Sequence, residues 1–451
     1  MKKLLTMFLM LLPVCLPAQT REVTLQECID LAVQNDPYLK NSGLDVLAAQ
    51  ARKAEALWEY FPSVKLSILG YRAINPMVHL TPKDILGNGD AANELNEAIS
   101  TYCYENGIKP YFETMGWGYT FSAMATQPIY AGGRIVNGNR LAALGLEAAQ
   151  LQKNILGTAT RDTVECKYWR IVALQEKMNT LHRAGHLLDT LYKDVNSALQ
   201  AGLATDNDLM QVTIRQKELR SSEIRLKNGI RLAKMELFNS IGMKYTYLGI
   251  DSLKIADSLG ELPVPADVLL RDEEISRSDE SLLLEMQVEA GKLRKKMAVG
   301  EYLPQAGVGV GYGYGNLMGT GKARTNGLAF ASVQIPITDL GKAAQRSKRY
   351  EYEVQKAVGE KEYLDAQLTL LMHKVRLDME SAWEQMEVAR ETVSLAENTL
   401  EHERANYNAG YATLAQVLQC ELTLQNALES CIDRSIEYKN AVTAYLHRCG
   451  R

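Results

Sequence analysis

Between Pro128 and Pro263 this chain has no proline, and after Pro336 it has none to its end at residue 451. A proline inside a helix removes a hydrogen bond and clashes with the preceding turn, at a cost of about 3 kcal/mol. Two stretches of well over a hundred residues without one are what long helices require. Past residue 18 the chain also lacks any run of about 18 apolar residues, so no membrane-spanning helix is available. No basic patch with interleaved aromatics occurs and the formal net charge is −4, which argues against nucleic acid as a partner. The seven cysteines form no CxxC pair. Cys28, Cys103, Cys166, Cys420, Cys431 and Cys449 read as small half-buried thiols, with disulfides permitted if the chain is exported.

Catalytic constellations are missing too. Ser, His and Asp occur with no nucleophile elbow, so no catalytic residue is assigned. His182 and His186 share a helix face, but no Glu follows His182 and no third ligand is evident; no metal or other cofactor is expected. Gly321-Lys322 glances at a phosphate-binding loop, yet Ala323 stands where Ser or Thr should bind Mg²⁺.

What the chain does have is a turn that occurs twice. Ala201-Gly202-Leu203-Ala204-Thr205 returns 208 residues later as Ala409-Gly410-Tyr411-Ala412-Thr413. Gly tolerates the left-handed residue after a helix, and Thr is a fair N-cap for the next one. The same offset separates Pro128-Ile129 from Pro336-Ile337, whereas Glu59-Tyr60-Phe61-Pro62 and Glu301-Tyr302-Leu303-Pro304 lie 242 apart. The offsets differ by 34, so the first half carries that many extra residues between Pro62 and Pro128. We read a duplication. The first repeat is 19–241, with a long loop at 72–115; the second is 271–451; a Gly- and Pro-containing connector occupies 242–270.

Each repeat reads helix, strand pair, long helix, Ala-Gly turn, long helix. Thr24 with Glu27 predicts a capped first helix, interrupted at Asn35-Asp36-Pro37 and resumed from Tyr38 to about Tyr60. Val64, Leu66 and Ile68 alternate with polar residues at strand period, and a second strand is expected over 118–127. The loop between them should hold one short helix near 91–100. In the second repeat a helix over 276–301, opened by acidic Asp272-Glu273-Glu274, leads to strands at 307–315 and 328–335. In the first of these, glycine alternates with Val308, Val310, Tyr312 and Tyr314, aromatics suited to a lipid interface or to strand packing. From 342 to 407 one apolar stripe recurs by threes and fours, from Leu364 through Val375 and Met386 to Leu400. Such a helix spans about 100 Å and must lie against partners along its length. Ile171, Leu174, Met178, Leu181, Leu188, Tyr192 and Val195 repeat the stripe in the first half.

Met1-Lys2-Lys3, an apolar run from Leu4 to Leu16, and Pro17-Ala18 read as a signal peptide over 1–18; Cys15 fits a lipidation box poorly. Four strands of about ten residues in an exported chain suit an outer-membrane barrel, but about eight are the minimum for closure. An open edge in lipid leaves backbone groups unpaired. The strands must therefore close with copies from other subunits, unless they form a small soluble domain on a stalk.

Taken in order, Leu25-Gln26-Glu27-Cys28 through Asn35-Asp36-Pro37, the junctions at Pro62 and Pro304, Gln127-Pro128-Ile129-Tyr130-Ala131-Gly132-Gly133-Arg134 and the doubled turn resemble the TolC-type outer-membrane efflux family. The resemblance implies a mainly α fold with a membrane β-barrel: long helical hairpins forming an α-barrel, plus four strands per subunit in a shared trimeric twelve-stranded barrel. It implies an outer-membrane location with the helical barrel in the periplasm. It also implies a homotrimer that works in efflux or type I secretion with a periplasmic adaptor (membrane-fusion) protein and an inner-membrane pump, in contact with outer-membrane lipid. The adaptor would dock at the tips, Gly202, Leu203, Thr205, Gly410, Tyr411 and Thr413. The periplasmic constriction would fall at Asp208, Tyr407, Gln416 and Gln419. Tyr407 and Asp208 match a hydrogen-bonded pair of the family's closed gate; its arginine falls at Ala412, and its acidic ring falls at the neutral Gln416 and Gln419. The rival expectation is a coiled-coil scaffold of the cell envelope with no pore.

Overall fold

The computed structural model describes residues 21–244, 250, 253–269, 278–316, 318, 322–337 and 339–448. The expected signal peptide, the acidic run at 272–274, Cys15 and Cys449 lie outside them.

The chain opens with β1 (Arg21–Val23), α1 (Leu25–Asn35) and α2 (Pro37–Trp58). It continues through β2 (Ser63–Arg72), β3 (Val78–Leu80), α3 (Pro82–Leu86), α4 (Asp90–Glu105), β4 (Phe112–Thr114) and β5 (Trp117–Ala131). The hairpin of α5 (Arg134–Gln200) and α6 (Asp206–Ser240) follows, then β6 (Leu253–Ile255) and α7 (Pro265–Val268). The remainder is α8 (Asp279–Gly300), β7 (Gln305–Asn316), β8 (Arg324–Gln334), α9 (Leu340–Asn408) and α10 (Leu414–Arg448). The two hairpins match closely in length, 67 and 35 residues in one and 69 and 35 in the other.

Contacts divide the chain into two units. One takes the described residues up to Leu47 with Glu147–Met286 and Gly359–Arg451; the other is Ala48–Leu146 with Gln287–Val358.

The first unit is mainly helical, and on α9 its core follows the expected stripe only in part: Leu364, where the stripe was read to begin, is exposed, and Met372, outside it, is buried. Met372, Met379 and Met386, seven apart on α9, are buried with Tyr438, Val442 and Tyr445 of α10. Ile171, Leu181, Leu188 and Val195 on α5 are 0–4% exposed, so the looser stripe of the first half is equally a packing face. The connector is more ordered than its glycines and prolines suggest. β6 pairs in parallel with β1, Val23 opposite Ile255. The Tyr168 hydroxyl donates to the Asp257 carboxylate at 2.6 Å, and the Leu25 N–H reaches the same oxygen at 3.1 Å. Ile250 is buried in this cluster, and the Tyr438 hydroxyl donates to the Pro263 carbonyl at 2.5 Å.

The second unit carries one antiparallel sheet in the order β2-β5-β7-β8. Ser63 faces Thr126 and Arg72 faces Trp117; Tyr119 faces Asn316; Gln305 faces Gln334. A bulge between Pro128 and Tyr130 bends β5 where it nears the long helix. At Gly309 the bare glycine face of β7 has a packing cause. A Cβ on Gly309 would sit 2.5 Å from the Phe330 ring, so the glycine makes room for the aromatic on β8. Both β2 and β8 are edge strands. Val64, Leu66 and Ile68 on β2 are 73%, 74% and 68% exposed, so the sheet of one copy leaves apolar side chains and two rows of backbone groups uncovered.

The expected loop between β2 and β5 is a folded extension. Its helix runs from Asp90 to Glu105, and β3 pairs with β4, Leu80 opposite Phe112. The Ala73 N–H donates to Gly116 O at 2.7 Å, and the Met115 N–H to Met318 O at 2.9 Å. These bonds hold the extension to the end of the sheet away from α2. Among the described residues no helix is long and apolar enough to cross a membrane.

Candidate functional site: the paired helix bends

Both bends are built the same way. At the end of α5 the Leu203 N–H reaches back to Ala198 O at 2.8 Å, and the Gly202 N–H bonds Leu199 O at 2.9 Å. At the end of α9 the Tyr411 N–H reaches Asn406 O at 2.8 Å, and the Gly410 N–H bonds Tyr407 O at 3.0 Å. Each is a Schellman-type close, which needs a left-handed residue. Gly202 and Gly410 supply it, at φ +72° and +81°. The residue after such a glycine usually folds its apolar side chain back onto the helix. Here Leu203 and Tyr411 do not: they are 85% and 87% exposed.

The next helices start with side-chain caps, reciprocal at the first. Asp208 accepts from both the N–H and the hydroxyl of Thr205, at 2.9 and 2.7 Å, and its own N–H donates to the Thr205 hydroxyl at 3.2 Å. The Gln416 amide oxygen accepts from the N–H and hydroxyl of Thr413 at 2.7 and 2.8 Å. So Asp208 and Gln416, expected at a constriction, also serve as the third-position partners of their caps. A Thr followed three residues later by Asp or Gln was the readable signal. Gln419 is exposed one turn further on.

Beneath the bends lies one apolar cluster drawn from all four helices: Leu191 and Val195, Val212, Leu400, and Leu414 with Val417. It brings the two bends together. Tyr407 packs at its margin, half-buried, and its hydroxyl pKa is pushed up by burial, then by the nearby carboxylates of Asp208 and Asp194. Tyr407 and Asp208 are thus neighbours, while the hydrogen bonds of the Asp208 carboxylate go to Thr205.

A further polar group sits deeper, between α6 and α10. Arg215 Nε donates to Glu421 Oε2 at 3.0 Å, and its Nη2 donates to the Gln425 side-chain oxygen at 2.7 Å. Glu421 is 3% exposed, and its Oε1 has no hydrogen-bond partner among the described residues. Burial raises the Glu421 pKa; the guanidinium opposes this less strongly. Sequence reasoning missed this cluster. The signal was a carboxylate continuing the buried spacing of Leu414 and Val417.

Elsewhere, His182 lies 4.0 Å from Glu223, and the described residues include no group of three His, Cys, Asp or Glu arranged for a metal. Among the described residues, Cys28, Cys103, Cys166, Cys420 and Cys431 form no disulfide.

No family model matches the sequence, and no curated protein matches it. Solved structures match the fold along nearly its whole length. The outer membrane protein VceC of Vibrio cholerae superposes with a TM-score of 0.72 at 15% identity, over 94% of this chain and 96% of that one. The Campylobacter jejuni CmeC outer membrane channel gives 0.73 at 14%, over 94% and 85%. The open state of the Neisseria gonorrhoeae MtrE outer membrane channel gives 0.71 at 12%, over 94% and 88%. Long matched hairpins, a four-strand sheet open at both edges, and superposition on several such channels converge: the chain has the fold of the TolC-type outer-membrane efflux channels.

Proposed function

We propose that this chain is one subunit of a homotrimeric outer-membrane duct serving an efflux or type I secretion system. Three copies join β8 of one to β2 of the next and close a twelve-stranded barrel in lipid. Their hairpins form a helical barrel in the periplasm. The duct is passive, with no catalytic step and no cofactor. An inner-membrane pump supplies the energy, and a periplasmic adaptor docks at the bends and opens them.

The observation that carries this reading is the sheet β2-β5-β7-β8, with two open edges and apolar residues exposed along β2. Unpaired backbone costs several kcal/mol per group in hydrocarbon. Only further copies of this chain supply edges of matching length. The bends support the docking assignment, since Leu203 and Tyr411 present apolar surface at the tips of capped helices. We also assign Asp208, Tyr407, Gln416 and Gln419 to the constriction, and read residues 1–18 as a signal peptide and 19–241 and 271–451 as two repeats about the 242–270 connector.

The test is fractionation followed by planar-bilayer recording. Recovery in the outer-membrane fraction, release only by detergent and unitary conductance are expected. A water-soluble protein without conductance would replace the duct with a coiled-coil scaffold.

A further inference from the structure

The extension between β2 and β5 carries more charge of one sign than its place requires. Residues 73–116 hold six carboxylates, at 84, 90, 94, 97, 105 and 113, against Lys83 and Lys109. α4 has four of the six and no basic residue. Its inner face is Ala92, Asn96, Ile99 and Cys103, all half-buried. Its outer face repeats the same four-three-four spacing with Ala91, Leu95, Ala98 and Tyr102, an apolar strip; Leu95 is 49% and Tyr102 63% exposed. Asp90, Glu94, Glu97 and Glu105 lie along one side of that strip, and none forms an ion pair among the described residues. An exposed apolar strip with a purely acidic rim fits a basic surface with an apolar centre.

The same end of the sheet offers unpaired cations. Arg72 ends β2, Lys322 precedes β8 and Arg324 opens it; all three are exposed and make no ion pair among the described residues. The extension is already tied to Met318, just past β7, within one copy, because Met115 N–H and the Thr114 hydroxyl both donate to Met318 O, at 2.9 and 2.7 Å. Even so, the carboxylates of α4 and these cations do not meet. β2 runs outward and ends at Arg72, whereas β8 begins at the outer end with Arg324. If β2 pairs antiparallel with β8 of the next copy, Arg72 comes beside Lys322 and Arg324 of that copy. Three like charges would then crowd one end of the seam, where the extension springs from β2.

We propose that α4 is a clasp between copies. Resting on the trimer reading above, it lies over the start of β8 of the next copy, with Glu94 and Glu97 facing Lys322 and Arg324 of that copy and the Leu95–Tyr102 strip covered. Each seam is then held at its outer end by side chains as well as by strand pairing.

The test uses the full chain in detergent and reads the temperature at which the trimer dissociates on a gel. Glu94→Lys with Glu97→Lys, and separately Lys322→Glu with Arg324→Glu, should each lower that temperature by about 5 °C. The four changes combined should recover most of the loss, the signature of direct coupling. Raising NaCl to 1 M should shrink the difference between wild type and either pair. Circular dichroism on each variant checks that the helices are intact. Unchanged dissociation in both pairs, or a combined variant no better than its worse parent, overturns the clasp. So does altered capture of an external protein with trimer stability unmoved. A wild-type protein that is monomeric overturns the trimer reading itself.

Discussion

Arg215 on α6 and Glu421 on α10 form a buried ion pair at 3.0 Å, close behind the two bends. Removing one partner of such a pair strands a charge and costs about 3–5 kcal/mol, whereas apolar groups in both places are near neutral. Arg215→Leu alone should therefore destabilise strongly. Arg215→Leu with Glu421→Leu should recover most of the loss. Denaturant midpoints of the two variants and wild type check this. Equal losses would mean the pair carries no mutual compensation.

The same carboxyl predicts a pH dependence. Glu421 is pushed above its ordinary value of 4.5, chiefly by burial. Between the unfolded and folded pKa values the native state holds the extra proton. This group's contribution to stability is thus greatest at acid pH and declines as pH rises through that window. Glu421→Gln carries no titrating proton and should lack that decline. Denaturation midpoints measured from pH 4 to 7 on both proteins would reveal the difference.

Gly202 and Gly410 hold left-handed backbone, so Gly202→Val and Gly410→Val should each cost on the order of 1–2 kcal/mol locally. We expect export to be lost while the barrel still assembles. Normal export from the double variant would remove the bends from the docking role.

Leu203 and Tyr411 make so little contact with their own chain that changing them should leave stability alone. Leu203→Asp with Tyr411→Asp should weaken adaptor binding at least about tenfold, the 1.4 kcal/mol scale of a buried apolar anchor. Melting temperature should stay within error of wild type.

With Gln416 and Gln419 neutral, and the Asp208 carboxylate bonded to its own cap at Thr205, the constriction should respond weakly to divalent cations. Bilayer conductance strongly blocked at millimolar concentration would contradict that. Gln416→Glu keeps an acceptor for the Thr413 cap, so the helix start should survive while cation block appears. Gln419→Asp should act likewise without touching the cap.

The long elements were legible because their rules are local. No proline interrupts α9, its stripe is regular, and the observed helix, Leu340–Asn408, lies within two residues of the expected span. Two strands of the sheet, β2 and β7, were legible from alternation; the other two, expected at 118–127 and 328–335, run Trp117–Ala131 and Arg324–Gln334. The order of the four was not legible, since β5 meets β7 across almost two hundred residues and nothing local encodes that pairing. β1 and β6 are three residues each, too short for any period to show, and they join positions 232 apart. The bends were visible as a repeated turn. The Arg215–Glu421 pair was hidden because a charged residue in an otherwise apolar stripe looks like an interruption until its partner is seen.

One consequence follows from β2 and β8 being different edges of one sheet. A subunit of this kind has no terminating form: any incomplete arc, of one copy or two, ends in the same two unsatisfied rims. On the trimer reading proposed above, hydrocarbon admits neither, so an arc would have to wait outside until the ring is whole. Entry into the bilayer would then be all-or-nothing, and one copy with a spoiled rim would disable the sound copies joined to it. Co-expressed rim mutants would therefore poison the wild-type channel out of proportion to their share.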